Sequence, residues 1–162
     1  MNEHYYMVLA GGELTSIADI PTLTVHANYA ANDYVGTSGV AMEFLNCAKV
    51  DGGGGAITGV ILLDAAVQSV ACEVWLFDSD PTPPNDSAAW TITDANLLRL
   101  IGIVPISTYY ASAVNSVGQN LDATIPFKCA SGSKALYGCV VTRGAPTYAS
   151  GDLTVILKII KS

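Results

Sequence analysis

The chain has 162 residues with 7 basic and 14 acidic side chains, so its formal net charge is −7. Only 13% of the residues are charged and 51% are apolar, which excludes a disordered chain, because disorder requires high charge and few apolar residues. Seven scattered cations also argue against binding of nucleic acid along a track of phosphates. Such a chain either buries part of its surface against a partner or has an exterior of uncharged polar residues.

The first 22 residues differ from the rest of the chain, because they lack a clear strand pattern. No basic segment precedes their apolar stretch, and Gly11 and Gly12 interrupt it, so a secretory signal is not expected. No window of the chain reaches the roughly 18 apolar residues that a membrane span needs, so we expect no membrane partner. We predict an N-terminal arm or edge strand over residues 1–22 and one domain over residues 23–162.

Strand patterns dominate the predicted domain. Short apolar or alternating segments are separated by turn residues, as is typical of β-proteins, and they cover residues 23–29, 42–50, 56–63, 69–77, 121–128, 135–142 and 153–160. In the last of these, one face is wholly apolar and the other is mixed. Residues 51–55, which end in four glycines, lie between two of the segments. This arrangement predicts a hairpin with a flexible glycine loop.

One segment has a helical pattern. It runs from Thr93 to Leu100, with a capping residue at its start, Asp94 in its first turn and Gly102 after its end, which are typical helix boundary signals. About eight or more short strands with one short helix favour an all-β fold. We therefore predict a two-sheet antiparallel sandwich of jelly-roll type.

The cysteines and glycines suggest no cofactor. Cys47, Cys72, Cys129 and Cys139 show no C-x-x-C spacing, which makes a zinc site improbable and favours free thiols in the core. The glycine run lacks the Lys-Ser or Lys-Thr of a phosphate-binding loop. The best candidate for a metal is calcium, in a loop that holds Asp78, Asp80 and Asp86, since calcium prefers several loop oxygens. The prolines in this loop favour ordinary turn chemistry instead, and we expect no bound metal.

The sequence indicates no catalytic group. A nucleophilic triad needs a histidine that a carboxylate orients, and neither His4 nor His26 has a recognisable serine or cysteine partner. A hydrolase that uses a pair of carboxylates stays open as a lesser alternative, because the distances between acidic residues are not visible in a sequence. We therefore expect no enzyme activity.

Aromatic residues concentrate in or beside the predicted turns, at Trp90, Tyr109, Tyr110, Tyr137 and Tyr148. Exposed rings of this kind serve as hot spots of protein interfaces or as stacking platforms for sugars. Ordinary half-buried packing is the third interpretation. The excess of apolar residues favours a protein interface over a sugar platform.

Several segments, taken in order, resemble small structural proteins of tailed-bacteriophage virions, of the type that decorates or cements the head. The resemblance covers roughly residues 22–160, and it is carried by Gly39-Val-Ala-Met-Glu-Phe44, Val74-Trp-Leu-Phe-Asp78, Ala88-Ala-Trp-Thr-Ile-Thr-Asp-Ala95, Thr142-Arg-Gly-Ala-Pro-Thr-Tyr148 and Gly151-Asp-Leu-Thr-Val155. It brings no catalytic motif.

The resemblance implies a β-rich decoration protein that forms trimers or dimers and binds the major capsid protein lattice, thereby stabilising the head. Such a protein would be assembled in the bacterial cytoplasm and would lie on the capsid surface of the virion. A carbohydrate-binding or host-adhesion module of a phage fibre or tail is the alternative. We expect interface contacts at Tyr5, Tyr6, Pro83, Pro84, Trp90, Tyr109 and Tyr110.

Overall fold

The computed structural model describes residues 12–21 and 27–162. These residues form thirteen strands and one helix, in the chain order β1 Glu13–Asp19, β2 Ala27–Asn28, β3 Tyr34–Val35, β4 Met42–Phe44, β5 Gly54–Asp64, β6 Cys72–Phe77, α1 Asp94–Leu97, β7 Leu100–Ile106, β8 Tyr109–Ala111, β9 Ser116–Asn120, β10 Ile125–Lys128, β11 Leu136–Thr142, β12 Thr147–Tyr148 and β13 Leu153–Lys161. Within the described ranges, no helix has the length and apolarity needed to cross a membrane.

The strands form two main sheets, in which every pairing is antiparallel. The six-stranded sheet has the order β1-β13-β5-β9-β8, and β10 pairs with the first part of β5. The five-stranded sheet has the order β3-β11-β6-β7, and β4 also pairs with β11. β2 and β12 form a separate pair. The predicted all-β fold with two antiparallel sheets and one short helix is therefore confirmed, and the jelly-roll connectivity stays a prediction.

The main core lies between the two sheets. Alternate residues of β13 point into it, and Leu153, Val155, Leu157 and Ile159 are all at most 1% exposed, as the period of two in a strand requires. Ile57, Val60 and Leu62 of β5 and Val74 and Leu76 of β6 meet them in the same cluster. This burial of aliphatic side chains is the main force that holds the sheets together.

The predicted hairpin with a glycine loop is wrong. β4 pairs with β11 in one sheet, whereas β5 pairs with β13, β9 and β10 in the other. The last two glycines of the run belong to β5, where neighbouring backbones approach closely. A Cβ atom on Gly55 would lie 2.1 Å from the Ile160 carbonyl oxygen, and one on Gly54 would lie 2.4 Å from the Phe127 carbonyl oxygen. These glycines permit close packing of strands rather than a flexible tip.

The helix begins where the sequence predicts but is shorter. The Thr93 hydroxyl oxygen accepts a hydrogen bond from the backbone N–H of Asn96 at 3.2 Å, which is the expected N-cap interaction. The helix ends at Leu97, and Leu100 already pairs with Phe77 at the start of β7. Packing of Leu100 against the five-stranded sheet therefore overrides the local helical pattern.

Candidate interaction surface

The side of the six-stranded sheet that points away from the core carries many apolar side chains. On β13 these are Ile156 and Ile160, and on β5 they are Ile61 and Leu63, all of which keep partial contact with solvent. Ile156 lies opposite Ile61, and Leu63 lies opposite Thr154. Residues opposite each other in a sheet point to the same side, so these side chains form adjoining rows.

The flanking strands continue these rows. Val117 of β9 lies opposite Leu63, and Tyr110 of β8 lies opposite Val117. On the other flank, Leu14 and Ala18 of β1 lie opposite Ile160 and Ile156. We call this side of the sheet the outer face and define it as Leu14, Ser16, Ala18, Ala56, Ile61, Leu63, Tyr110, Val117, Gln119, Pro126, Lys128, Thr154, Ile156, Lys158 and Ile160.

The outer face carries two cations and no carboxylate. Lys128 and Lys158 are the charged residues of this set, and Lys158 Nζ donates a hydrogen bond to Ser16 Oγ at 2.8 Å. None of the 14 acidic residues of the chain belongs to this set of described residues. Two large apolar side chains of the face are mostly solvent-exposed, Leu14 at 74% and Tyr110 at 63%. A contiguous apolar area of this kind is typical of an interaction surface.

The corresponding side of the five-stranded sheet is covered by the chain itself. Trp90 packs there with its ring centroid 5.9 Å from that of Tyr34 and 5.5 Å from that of Trp75. Phe77 and Cys139 are fully buried in the same small cluster. The two sheets therefore differ in that segment 78–99 shields one of them, while the outer face of the other stays in contact with solvent.

The structure places the predicted interface residues in environments that differ in burial. Trp90 is half-buried in the small cluster, and its buried Nε1 has no hydrogen-bond partner among the described residues. Pro83 is buried, and Pro84 is half-buried. Tyr5 and Tyr6 lie outside the described residues. A role for these residues in contacts with a partner stays a prediction.

Tyr109 and Tyr110 point to opposite sides of the sheet. The Tyr109 hydroxyl donates to the Val70 carbonyl oxygen at 2.7 Å and lies 3.6 Å from Cys72 Sγ, and burial raises the pKa of this phenol above its usual value. Tyr110 points outward and lines a groove of about 420 Å³ with Pro105, Ser107, Thr108, Gln119, Asn120, Leu121 and Asp122. Of the two tyrosines, only Tyr110 can offer its ring to a partner.

The aspartates of the proline-rich loop have separate partners. Asp78 forms an ion pair with Arg99 at 2.7 Å, Asp80 accepts a hydrogen bond from the backbone N–H of Thr82, and Asp86 accepts one from the Tyr29 hydroxyl. In the part of the chain that the structure describes, no three His, Cys, Asp or Glu residues are grouped so that they could hold a metal ion.

The thiols are buried, and Glu73 is paired with Arg143. All four cysteines are buried without disulfides, and burial raises the pKa of the Cys47 thiol to about 12. Glu73 interacts with Arg143 and accepts a hydrogen bond from Trp75 Nε1. The hydrogen bond from Arg143 lowers the pKa of the Glu73 carboxyl. His4 and His26 lie outside the described residues, so the sequence-based view of them is unchanged.

Two features of the structure were missed by sequence reasoning. The outer face depends on register between distant strands, although its signal was present as the mixed second face of residues 153–160. The other feature is Asp64, which is fully buried at the end of β5 and had no recognisable signal, since it reads as an ordinary turn residue.

Comparisons with family models, curated proteins and solved structures found no match.

Proposed function

We propose that this chain is a non-enzymatic virion structural protein of a tailed bacteriophage, of the head decoration type. It would self-associate and bind the lattice of the major capsid protein, stabilising the head. The observation that carries the proposal is the outer face, an apolar sheet surface without carboxylates on a chain of net charge −7. Exposed apolar areas of this kind are typical of surfaces that contact other proteins, which supports a role in assembly.

The strand order supports the jelly-roll part of the proposal. For this comparison the eight principal strands are numbered 1 to 8 along the chain, as β1, β3 with β4, β5, β6, β7, β9, β11 and β13. In these numbers the six-stranded sheet has the order 1-8-3-6 and the five-stranded sheet has the order 2-7-4-5. A jelly roll with two Greek keys, a fold that occurs in viral capsid and lectin domains, predicts the same order, which supports this part of the proposal. Because one fold hosts many functions, the strand order supports the capsid function only together with the outer face.

The energetics of attachment favour many weak contacts over one strong contact. An interface of standard size buries about 1,600 Å², and its apolar part contributes roughly 25 cal/mol per Å² before the costs of association. Repeated contacts on a lattice multiply the effective affinity without new chemistry. The net charge of −7 would keep the free protein soluble and oppose its non-specific aggregation before it meets the shell.

Co-sedimentation with capsids tests the proposal. Expanded capsids that lack the protein, taken from the phage that encodes it, are mixed with purified chain and pelleted, and the bound copies per capsid are counted. We expect saturable binding with a fixed stoichiometry and a higher temperature of capsid disruption. A chain that stays in the supernatant at about 10 µM and leaves capsid stability unchanged would refute the proposal.

A second candidate function is favoured by the groove beside Tyr110. The groove combines an exposed ring with polar side chains that suit sugar hydroxyls, among them Gln119 and Asp122. Asn120 Nδ2 donates to the Pro105 carbonyl oxygen at 3.1 Å, which fixes one wall. A carbohydrate-binding or adhesion module would place a sugar ring on Tyr110.

A glycan array distinguishes this candidate, with two variants as matched probes. Tyr110→Phe keeps the ring and should keep binding, whereas Tyr110→Ala removes the platform and should abolish it. The absence of any bound glycan, or binding that survives Tyr110→Ala, would exclude a sugar site in this groove.

A further inference from the structure

We propose that the outer face binds the outer face of a second copy of this chain, so that two six-stranded sheets pack face to face about a two-fold axis. The inference deepens the proposed function. It rests on that function in one respect, namely that a decoration protein self-associates before it binds a shell. It assigns the self-contact to one surface and leaves the rest of the molecule for the capsid.

The size of the outer face approaches the area that a dimer needs. It crosses five strands, β1, β13, β5, β9 and β8, and neighbouring strands lie about 4.8 Å apart, so its width is roughly 20 Å. Along β13 it extends from Thr154 to Ile160, and at about 3.4 Å per residue this is again roughly 20 Å. The flat area is thus about 400 Å² per copy and about 800 Å² for two copies, which approaches the total of about 1,000 Å² that a specific interface needs.

The charge distribution favours a second copy as the occupant. Two chains that each carry −7 repel each other on most approaches, and like charges in contact cost several kcal/mol. The outer face lets the backbones approach without bringing carboxylates together, because none of its described residues is acidic. Its two cations lie on different strands, Lys158 on β13, where it donates a hydrogen bond to Ser16, and Lys128 on β10.

The shape of the surface favours two-fold symmetry. A sheet face that contacts its own copy forms an isologous interface, in which each residue set meets the same set on the partner. Sheets that pack in this way lie about 10 Å apart with strands rotated by about 30°. Rows such as Ile61 with Ile156 and Leu63 with Val117 then interdigitate as in the core of a sandwich. A dimer is therefore expected rather than a trimer.

Sedimentation and light scattering on the purified chain test this inference. The wild-type protein should have about twice the monomer mass of 16.8 kDa at 10 µM. Ile156→Glu should be monomeric, with association weakened at least about 100-fold, because each copy would have to desolvate a carboxylate among the apolar rows of the face. The matched control is Leu98→Glu, which places the same charge at an apolar residue that is 87% exposed and away from the outer face. It should stay dimeric.

A second measurement avoids substitutions altogether. Acetylation of Lys158 should slow as the wild-type concentration rises from about 0.1 to 100 µM, whereas Lys49, which is exposed and outside the outer face, should react at a constant rate. If Ile156→Glu does not fold, as judged by circular dichroism, this protection decides the question. A monomeric wild type at 100 µM, or Lys158 reactivity that does not depend on concentration, would overturn the inference.

The outcomes separate the two proposals. A dimer that does not bind capsids leaves the inference standing and refutes the decoration function. A monomer that binds capsids leaves the decoration function standing and overturns the inference, because the outer face would then serve another contact.

Discussion

Replacement of Asp64 by asparagine tests how the connection between β5 and β6 is held. One carboxylate oxygen of Asp64 accepts the backbone N–H of Ala66 at 3.0 Å, and the other accepts the N–H of Ser69 at 2.7 Å and the Ser116 hydroxyl at 3.3 Å. The side chain is fully buried. Val67 and Ser69 adopt left-handed backbone conformations with φ of 55° and 51°, which L-residues rarely adopt and which raise the energy of the turn. The carboxylate therefore stabilises a strained turn.

The expected loss follows from these contacts. Asparagine offers one oxygen, so its NH₂ group must face either the Ala66 N–H or the Ser69 N–H, and one buried donor loses its partner. A lost hydrogen bond to a charged group costs about 1.5–3 kcal/mol, so we expect Asp64→Asn to lower the free energy of unfolding by about 2 kcal/mol. Asp64→Ala removes both acceptors and should cost about 3–4 kcal/mol. At roughly 2–4 °C per kcal/mol for a domain of this size, the Tm should fall by about 4–8 °C for Asp64→Asn.

Urea unfolding monitored by tryptophan fluorescence measures this loss, because Trp75 and Trp90 are both packed in the folded chain. The midpoint should fall while the slope with urea stays unchanged. The matched control is Asp51→Asn, which makes the same change of charge at an exposed turn residue and should stay within about 0.5 kcal/mol of wild type. An Asp64→Asn protein as stable as the control would refute the assignment of these hydrogen bonds.

Three further predictions concern the core, the thiols and pH. Leu157→Ala, at a fully buried position of β13, should cost about 2–5 kcal/mol in urea unfolding, and a cost below 1 kcal/mol would contradict the described core. The buried thiols, such as Cys47 with its pKa raised to about 12, should react with Ellman's reagent at pH 8 only after unfolding, when four per chain become available. Rapid reaction of the folded chain would show that the thiols are accessible and would contradict their burial. Arg143 lowers the pKa of Glu73 in the folded state. The ionised Glu73 carboxyl therefore stabilises the fold at any pH above about 4.3, the pKa of glutamate in the unfolded chain. This contribution is lost as the pH falls through the lower pKa of the folded state. The stability difference between wild type and Glu73→Gln, at most about 1 kcal/mol for such a pair, should thus be present at pH 7 and vanish near pH 2, and a difference that grows on acidification would contradict this sign.

Much of the fold follows from local patterns in the sequence. The period of two in residues 153–160 places Leu153, Val155, Leu157 and Ile159 on one side of a strand, and all four are buried. The helix start at Thr93 follows from its capping hydroxyl. These features depend on neighbours in the chain, so a single sequence contains the information that determines them.

The pairing of strands does not follow from local patterns. β4 and β5 adjoin in sequence but lie in different sheets. Their partners, β11 and β13, lie far along the sequence, and the entropy cost of closing such long loops is repaid only by packing. The same holds for the tyrosines at positions 109 and 110. The strand pattern shows that adjacent residues face opposite ways, but only the register with Gly118 and Val117 decides which of them points outward.

The pairing of β1 with β13 has a consequence for how the chain folds. Ser16 and Lys158 are joined across 142 positions of sequence, so the first described strand finds its partner only after the chain between them has been made. Until then β1 has no partner in the sheet, and β5 lacks a neighbour along one edge. Topologies with such distant contacts fold in milliseconds to seconds rather than microseconds. During synthesis the apolar strands that precede β13 therefore stay incompletely covered until β13 has left the ribosome, and in this period the chain is prone to aggregate.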